Sequence, residues 1–283
     1  MIMRRLTPVV VIALLAFVAA CSLKTVYNRL DYLIPKYVEG VITLDGVLEQ
    51  QVETRTLSLL QWHRNTQLKP YAEWLRTLQQ DVNGQLTAQQ LEQRIDETEA
   101  LWLPLLVKLN DEMAYLLPLL DAEQQRELFA YLEETNDEFR EEFVDVDGDA
   151  RIEDYAERMI DTYENWFGAL TDAQEQAVEQ AAVRLISTAE LRLQRRLRWQ
   201  LGIRAILAKD DAVEIKRERL RAFLANFEQE NDPTMNAMTD INQQIVVSLT
   251  VEIANSLTPD QKEFFVSKTN DYIRMLTELA ENR

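Results

Sequence analysis

Glycine occurs only six times in this chain of 283 residues, where an average protein carries roughly 7%. Hairpins, bulges and left-handed turn positions lean on glycine, so a chain this poor in it has little with which to build a sheet. No stretch alternates apolar and polar residues convincingly with period two. Apolar residues recur instead at spacings of three and four, the pattern of amphipathic helices. Hydrophobic residues make up 47% and charged residues 28%, enough apolar surface for a real core. The expected fold is all-α, a bundle of about eight helices with several long ones.

Along the chain, a short helix is expected from Leu23 to Ile34. Longer helices follow from Val38 to about Thr66 and, after Pro70, from Tyr71 to Val82. Asn83-Gly84 is a stop signal. The next helices read as Ala88–Leu117, Ala122–Phe143, Ile152–Phe167, Asp172–Lys209, Asp211–Glu230, Thr234–Asn255 and Pro259–Ala280. If unbroken, the helix from Asp172 to Lys209 reaches roughly 55 Å. The segment Asp145-Val146-Asp147-Gly148-Asp149 offers a break between two halves of the domain, and Asn231-Asp232-Pro233 marks another.

The first residues carry a different signal. Arg4 and Arg5 precede an apolar run from Leu6 to Phe17, and Val18-Ala19-Ala20 leads into Cys21. Charged, apolar and small segments in that order make a secretory signal, and the run is short of the roughly twenty residues of a spanning helix. Val-Ala-Ala-Cys resembles the lipobox of bacterial lipoproteins. The resemblance implies cleavage after Ala20 and lipid attachment to Cys21, the only cysteine of the chain. Two or three acyl chains hold a protein firmly on a membrane. Ser22, by the same resemblance, favours export to the outer membrane, where the protein faces the periplasm from the inner leaflet; the inner membrane is the alternative. Loss of Arg4 and Arg5 takes the net charge from -18 to -20. The expected organisation is a signal in residues 1–20, a lipidated and membrane-proximal segment in 21–35, and a helical domain in 36–283. The stripe Leu23, Val26, Tyr27, Leu30, Leu33 and Ile34 can dock on the domain's own core or rest among headgroups.

One motif recurs: Leu86-Thr87-Ala88-Gln89-Gln90, Leu120-Asp121-Ala122-Glu123-Gln124, Leu170-Thr171-Asp172-Ala173-Gln174 and Leu257-Thr258-Pro259-Asp260-Gln261. A Thr or Asp followed three residues later by Gln is a helix capping box. Pro259 suits the first helical position. The spacings of 34, 50 and 87 residues exclude a fixed repeat. The pattern is also similar to the Leu-Thr-x-x-Gln motifs of the periplasmic helical chaperones Spy and CpxP.

Tyr27-Asn28-Arg29-Leu30-Asp31-Tyr32-Leu33-Ile34, the run from Trp62-His63-Arg64-Asn65 to Tyr71-Ala72, and Trp166-Phe167-Gly168-Ala169-Leu170 together resemble a family of Gram-negative envelope lipoproteins classed as a domain of unknown function. The likeness extends from about Cys21 to Ala280. It implies location and a helical fold and supplies no catalytic residue.

Charge and residue counts exclude several chemistries. A net charge of -18 argues against nucleic acid as a partner. One cysteine and one histidine rule out an internal disulfide framework and a zinc site built from several Cys and His. No cofactor is expected beyond the lipid on Cys21. His63, the sole imidazole, has Glu53, Arg64 and Asp31 as conceivable partners, and reads more simply as part of a packed corner. Asp145-x-Asp147-x-Asp149 begins like a calcium loop, but Ala150 stands at the glycine position and Ala156 at the bidentate glutamate. No metal site is expected.

The strongest charge feature is basic. Between Arg184 and Arg221 lie eleven Lys or Arg and five acids. On the expected helix Asp172–Lys209, Arg184, Arg192, Arg195 and Arg198 fall on one arc, opposite a stripe of Val178, Ala182, Leu185, Ala189, Leu193, Leu197 and Leu201. This belt pairs with the acidic remainder of the chain or meets a partner or anionic headgroups. Two functions follow as expectations. The first is a non-enzymatic binding or chaperone-like lipoprotein with protein clients in the periplasm. The second is a carboxylate-dependent enzyme acting on cell-wall glycan or lipid. A shallow apolar concavity favours the first, and a polar cleft with two close carboxyl groups favours the second.

Overall fold

The computed structural model describes residues 20–228 and 232–281; the expected signal before residue 20 and the side chains of residues 20–22 and 228, Cys21 among them, lie outside the described part. Among the described residues there are twelve α-helices and a short 3-10 turn (Leu117–Leu119), and no strand. The helices are α1 (Ala20–Tyr27), α2 (Leu30–Glu39), α3 (Gly46–Thr66), α4 (Leu68–Asn83), α5 (Ala88–Leu116), α6 (Ala122–Phe143), α7 (Gly148–Phe167), α8 (Asp172–Ala182), α9 (Ala189–Leu207), α10 (Val213–Glu228), α11 (Pro233–Asn255) and α12 (Pro259–Glu281).

The all-α class holds, and the count is twelve where about eight were expected: ten segments carry the helical pattern, and two of them, 23–34 and 172–209, each break into two helices. The segment 23–34 bends at Asn28-Arg29 between α1 and α2. The stretch from Val38 to Thr66 is divided by residues 40–45. There Glu127 on α6 accepts from the Thr43 N–H at 2.6 Å and from its hydroxyl at 2.8 Å, while the Gln124 amide donates to the Thr43 carbonyl at 2.9 Å. Side chains from α6 thus replace the helical bonds of this loop. The break expected at Pro70 falls earlier, at Gln67, and Pro70 is the third residue of α4, where a missing N–H costs nothing.

The largest correction concerns Asp172–Lys209, which is two helices and not one rod. Between α8 and α9, Asn242 of α11 clasps Ile186, accepting from its N–H at 2.8 Å and donating to its carbonyl at 2.7 Å. Ile186, Ser187 and Thr188 are weak helix formers, so the clasp outcompetes the helix. The nineteen residues of α9 give a length of roughly 28 Å. The stripe shifts too. Leu193, Gln200, Ile203 and Leu207 are buried on α9, and Leu201 is 62% exposed.

All four capping motifs form. Thr87, Asp121 and Thr171 each complete a capping box with Gln90, Gln124 and Gln174. Thr258 does so with Gln261, by bonds of 3.0 and 3.2 Å. Two of the glutamines also bond to each other, at 3.2 and 2.8 Å, where the motifs that open α8 and α12 face one another in the interior.

Two cores result. The body is built on α4, α7, α8, α11 and α12, with Leu68, Leu75, Phe167, Val178, Ile253, Phe265 and Leu279 inside it. An arm joins the C-terminal half of α5 to α6, α9 and α10 around Ala114, Phe129, Ile203, Leu207, Leu220 and Leu224. At its centre Asn136 and Gln200 pair amide to amide at 2.7 and 3.1 Å. Each group is then satisfied without a charge.

Candidate functional site

The body holds a cavity of about 150 Å³ between α4, α5, α7 and α11. Trp74 and Leu78 come from α4, Leu91 and Ile95 from α5, Tyr163 and Trp166 from α7, and Val246 and Thr250 from α11. Each is set there by the same three-and-four spacing that builds the core, so helical periodicity alone does not tell lining from packing. A largely apolar space of this size is large enough for a benzene-sized group.

Several polar atoms at this cavity are occupied by the protein itself, while Arg94 Nε and Asp81 Oδ2 face each other as an ion pair at 3.2 Å without a hydrogen bond. The Tyr163 hydroxyl lies 2.8 Å from the Thr250 hydroxyl, and burial pushes its pKa up to about 12, so it stays protonated. The Trp74 indole N–H donates to the Arg94 carbonyl at 3.1 Å, and the Thr98 hydroxyl donates to the same carbonyl at 2.8 Å. Arg94 is neutralised by Asp81 at 3.2 Å and Glu97 at 2.6 Å. Glu99 is the one carboxylate among the lining residues, on the same helix as that arginine. Glycoside chemistry needs two carboxyl groups flanking one bond, and the lining of this cavity does not offer that pair.

The arginine belt is rearranged relative to expectation. Arg184 stands exposed in the turn between α8 and α9, off the helix that carries the other three. On α9, Arg192 lies 5.4 Å from the Phe139 ring of α6. Arg195 lies 4.9 Å from the Phe227 ring of α10 and donates to the Phe227 carbonyl at 3.2 Å. Arg198 is exposed on the same helix. The three therefore do not share one open face, because α9 is flanked by α6 and α10. Among their neighbours, Arg204 pairs with Glu133 at 3.1 Å and covers Phe129 at 4.4 Å. Arg221 pairs with Asp111 at 3.3 Å, and Arg219 with Asp211. Arg217 covers one side of the Tyr115 ring region at 3.9 Å, and Arg55 lies 3.6 Å from the same ring.

His63 sits in the expected aromatic corner. Its Nδ1 lies 3.0 Å from the Tyr27 hydroxyl, and Tyr27 and Tyr71 flank the ring at 5.9 and 5.7 Å. Burial lowers its pKa to about 4, so the ring is neutral at pH 7. Its partner is Tyr27, and neither Glu53 nor Asp31. In the acidic loop, Asp147 caps α7 by accepting from the Asp149 N–H at 2.9 Å. No helix among the described residues is long and apolar enough to cross a membrane.

Residues 41–232 match a family described as "Family of unknown function (DUF6279)". The match takes in the stretches around Trp62 and Trp166, and it runs across the loop at 145–149. No curated protein and no solved structure matches the chain. The likeness to Spy and CpxP finds no support in these comparisons.

Proposed function

The chain belongs to the family of unknown function DUF6279, and on the geometry of its body we propose that it is a lipid-anchored envelope lipoprotein that binds an apolar group without catalysis. The single observation that carries the binding role is the cavity beside Trp74, Tyr163 and Trp166, which is predominantly apolar in lining. An occupant there is held by desolvation, worth about 25 cal/mol per Å² of apolar surface removed from water. A chaperone-like protein offering such a pocket takes an aromatic or aliphatic side chain of a periplasmic client.

The anchoring part is supported by the order of Arg4-Arg5, the apolar run and Val18-Ala19-Ala20-Cys21. On this reading the protein sits on the inner leaflet of the outer membrane and faces the periplasm. The arginines Arg184, Arg192, Arg195 and Arg198 serve as a secondary contact with a partner or with headgroups. The test is metabolic labelling with palmitate followed by membrane fractionation. Wild type takes up label and fractionates with the outer membrane. Cys21→Ser takes up none and is released or remains uncleaved. Label-free wild type, or a serine variant that is cleaved and still fractionates with the outer membrane, overturns the anchoring.

A further inference from the structure

Two stretches singled out in the sequence, Tyr27–Ile34 and Trp62–Ala72, meet in space. Besides the Tyr27–His63 contact, the Arg64 guanidinium lies 5.2 Å from the Tyr27 ring, and its Nη2 donates to Asn28 Oδ1 at 3.2 Å. Where they meet, the α1–α2 turn and α3 form an open groove of about 690 Å³. Its walls are Asn28, Asp31, Gln61, Arg64 and Asn65, and Leu57 and Leu60 add an apolar floor. The groove thus differs in kind from the cavity of the body. It presents one cation, one anion and three amides.

Its position narrows the occupant. Asn28 follows Cys21 by seven residues along α1, about 10 Å of helix. Lipid chains on Cys21 therefore hold the groove at the depth of the headgroups. The surface around it carries exposed Val26, Tyr32, Leu33, Tyr37 and Leu57. Arg29 and Lys36 are exposed on the same stretch. Tyrosine, leucine and basic side chains together are the composition of a face that rests in an interfacial layer.

We propose that this groove receives the zwitterionic phosphoethanolamine headgroup of a phospholipid from the leaflet that carries the anchor. Arg64 meets the phosphate, a charge-assisted contact that a guanidinium makes with good geometry. Asp31 meets the ammonium group. Asn28, Gln61 and Asn65 bond to the phosphate and ester oxygens, and Leu57 and Leu60 meet the glycerol and the first methylenes. A groove with a single cation and a single anion suits a dipolar headgroup. An anionic phosphoglycerol offers Asp31 a neutral hydroxyl in place of the ammonium, so the second charge pair is lost and binding weakens. The inference rests on the lipid-anchored reading for the nearness of the bilayer.

The test uses the full chain in a maltoside detergent, which contains no phosphate, titrated with water-soluble glycerophosphoethanolamine. NMR of labelled leucine methyl groups reads Leu57 and Leu60. Saturable shifts at both are expected. Asp31→Asn and Arg64→Gln weaken binding about tenfold each, the loss of one charge-assisted contact. Gln61→Ala, which leaves the Tyr27–His63 corner untouched, weakens it by a smaller factor and guards against misfolding of the first two. Glycerophosphoglycerol binds several-fold more weakly. Absence of saturable shifts overturns the proposal. So does equal binding of glycerophosphoglycerol or inorganic phosphate, which marks an anion site alone. Because the ligand is soluble, the result does not depend on anchoring. Palmitate labelling without headgroup binding sinks this proposal alone, and headgroup binding without labelling sinks the anchor alone.

Discussion

The body and the arm solve the same problem, fixing helix ends and crossings, with different chemistry. The body uses neutral amides. Asn242 clasps Ile186, Asn255 clasps Leu86 at 3.0 and 2.8 Å in the same two-handed way, and Gln174 and Gln261 bond each other while each caps its own helix. The arm has one such amide pair, Asn136 and Gln200, and otherwise uses guanidinium groups laid on aromatic rings and paired with acids at the surface. Neutral amides satisfy these backbone groups with no charge to bury, and beside the cavity the body also carries Arg94 paired with Asp81 and Glu97. Arginines near the surface add to stability only weakly and lose strength with salt. The amide clasps of the body are thus insensitive to ionic conditions, and the surface ion pairs of the arm are exposed to them.

The comparison can be broken through pH. His63, at the edge of the body, has a folded pKa lowered by burial to about 4 from the ordinary imidazole value of 6.5. The unfolded chain therefore binds a proton over that interval that the folded chain does not. Stability falls as pH drops from about 6.5 to 4, by roughly 3 kcal/mol at the low end. The difference between wild type and His63→Phe, measured by denaturant unfolding across this range, isolates the effect from carboxylates common to both. Parallel curves contradict it. If body and arm open separately, hydrogen exchange shows the loss in body amides.

A steric change sharpens the arm side. A Cβ at Gly202 meets the Phe223 ring at 2.2 Å, so α9 and α10 cross closely at this point. Gly202→Ala is expected to cost about 1–3 kcal/mol, the range of overpacking. Gly202→Ala combined with Phe223→Leu recovers part of it. A Gly202→Ala variant as stable as wild type contradicts the close crossing.

Capping comes next in size. Thr171→Ala removes an acceptor for the Gln174 N–H at 3.3 Å, at the start of α8, with an expected loss of about 0.5–2 kcal/mol. Thr66, whose exposed hydroxyl donates to the Trp62 carbonyl at 2.8 Å and accepts from the Gln67 side-chain amide at 2.9 Å, caps no helix N-terminus and costs less on the same substitution. Equal melting temperatures for wild type and Thr171→Ala contradict the cap. The smallest effect is in the belt. Replacing Arg192, Arg195 and Arg198 by Gln removes two ring contacts, those of Arg192 and Arg195, worth about 0.5–1 kcal/mol each at exposed sites. The melting temperature falls slightly in low salt, and the gap to wild type narrows in high salt. A gap that persists unchanged at high salt contradicts the surface-electrostatic account of the arm.

Much of the architecture is written locally and some of it is not. The helical class follows from scarce glycine and the three-and-four spacing, and the capping boxes at Thr87, Asp121, Thr171 and Thr258 are readable because their partners lie three residues away. The second bond of each glutamine is not readable, since Gln174 reaches Gln261 across 87 positions. The same reason hides the break at Ile186, made by an asparagine 56 positions on. Gln200 looks like a polar interruption of the α9 stripe, and it is buried because Asn136 answers it. The basic surplus of the belt is visible in composition, but its division between α6 and α10 depends on which helices flank α9. The cavity is the least legible feature. Trp74, Leu91 and Trp166 occupy ordinary core positions, and nothing local says that α5 stands off from α7.

The claim that matters most is that the apolar cavity of the body is where this protein binds. Titration of the full chain with an apolar dye such as N-phenyl-1-naphthylamine, read by quenching of Trp74 and Trp166 at the cavity, tests it directly. Saturable quenching is predicted in wild type and in the triple arginine variant. It is predicted to vanish in Thr98→Trp and Val246→Phe, which fill the space from two walls, with each variant's fold checked by circular dichroism. Undiminished dye binding in both filled variants, or its loss in the arginine variant, contradicts the account.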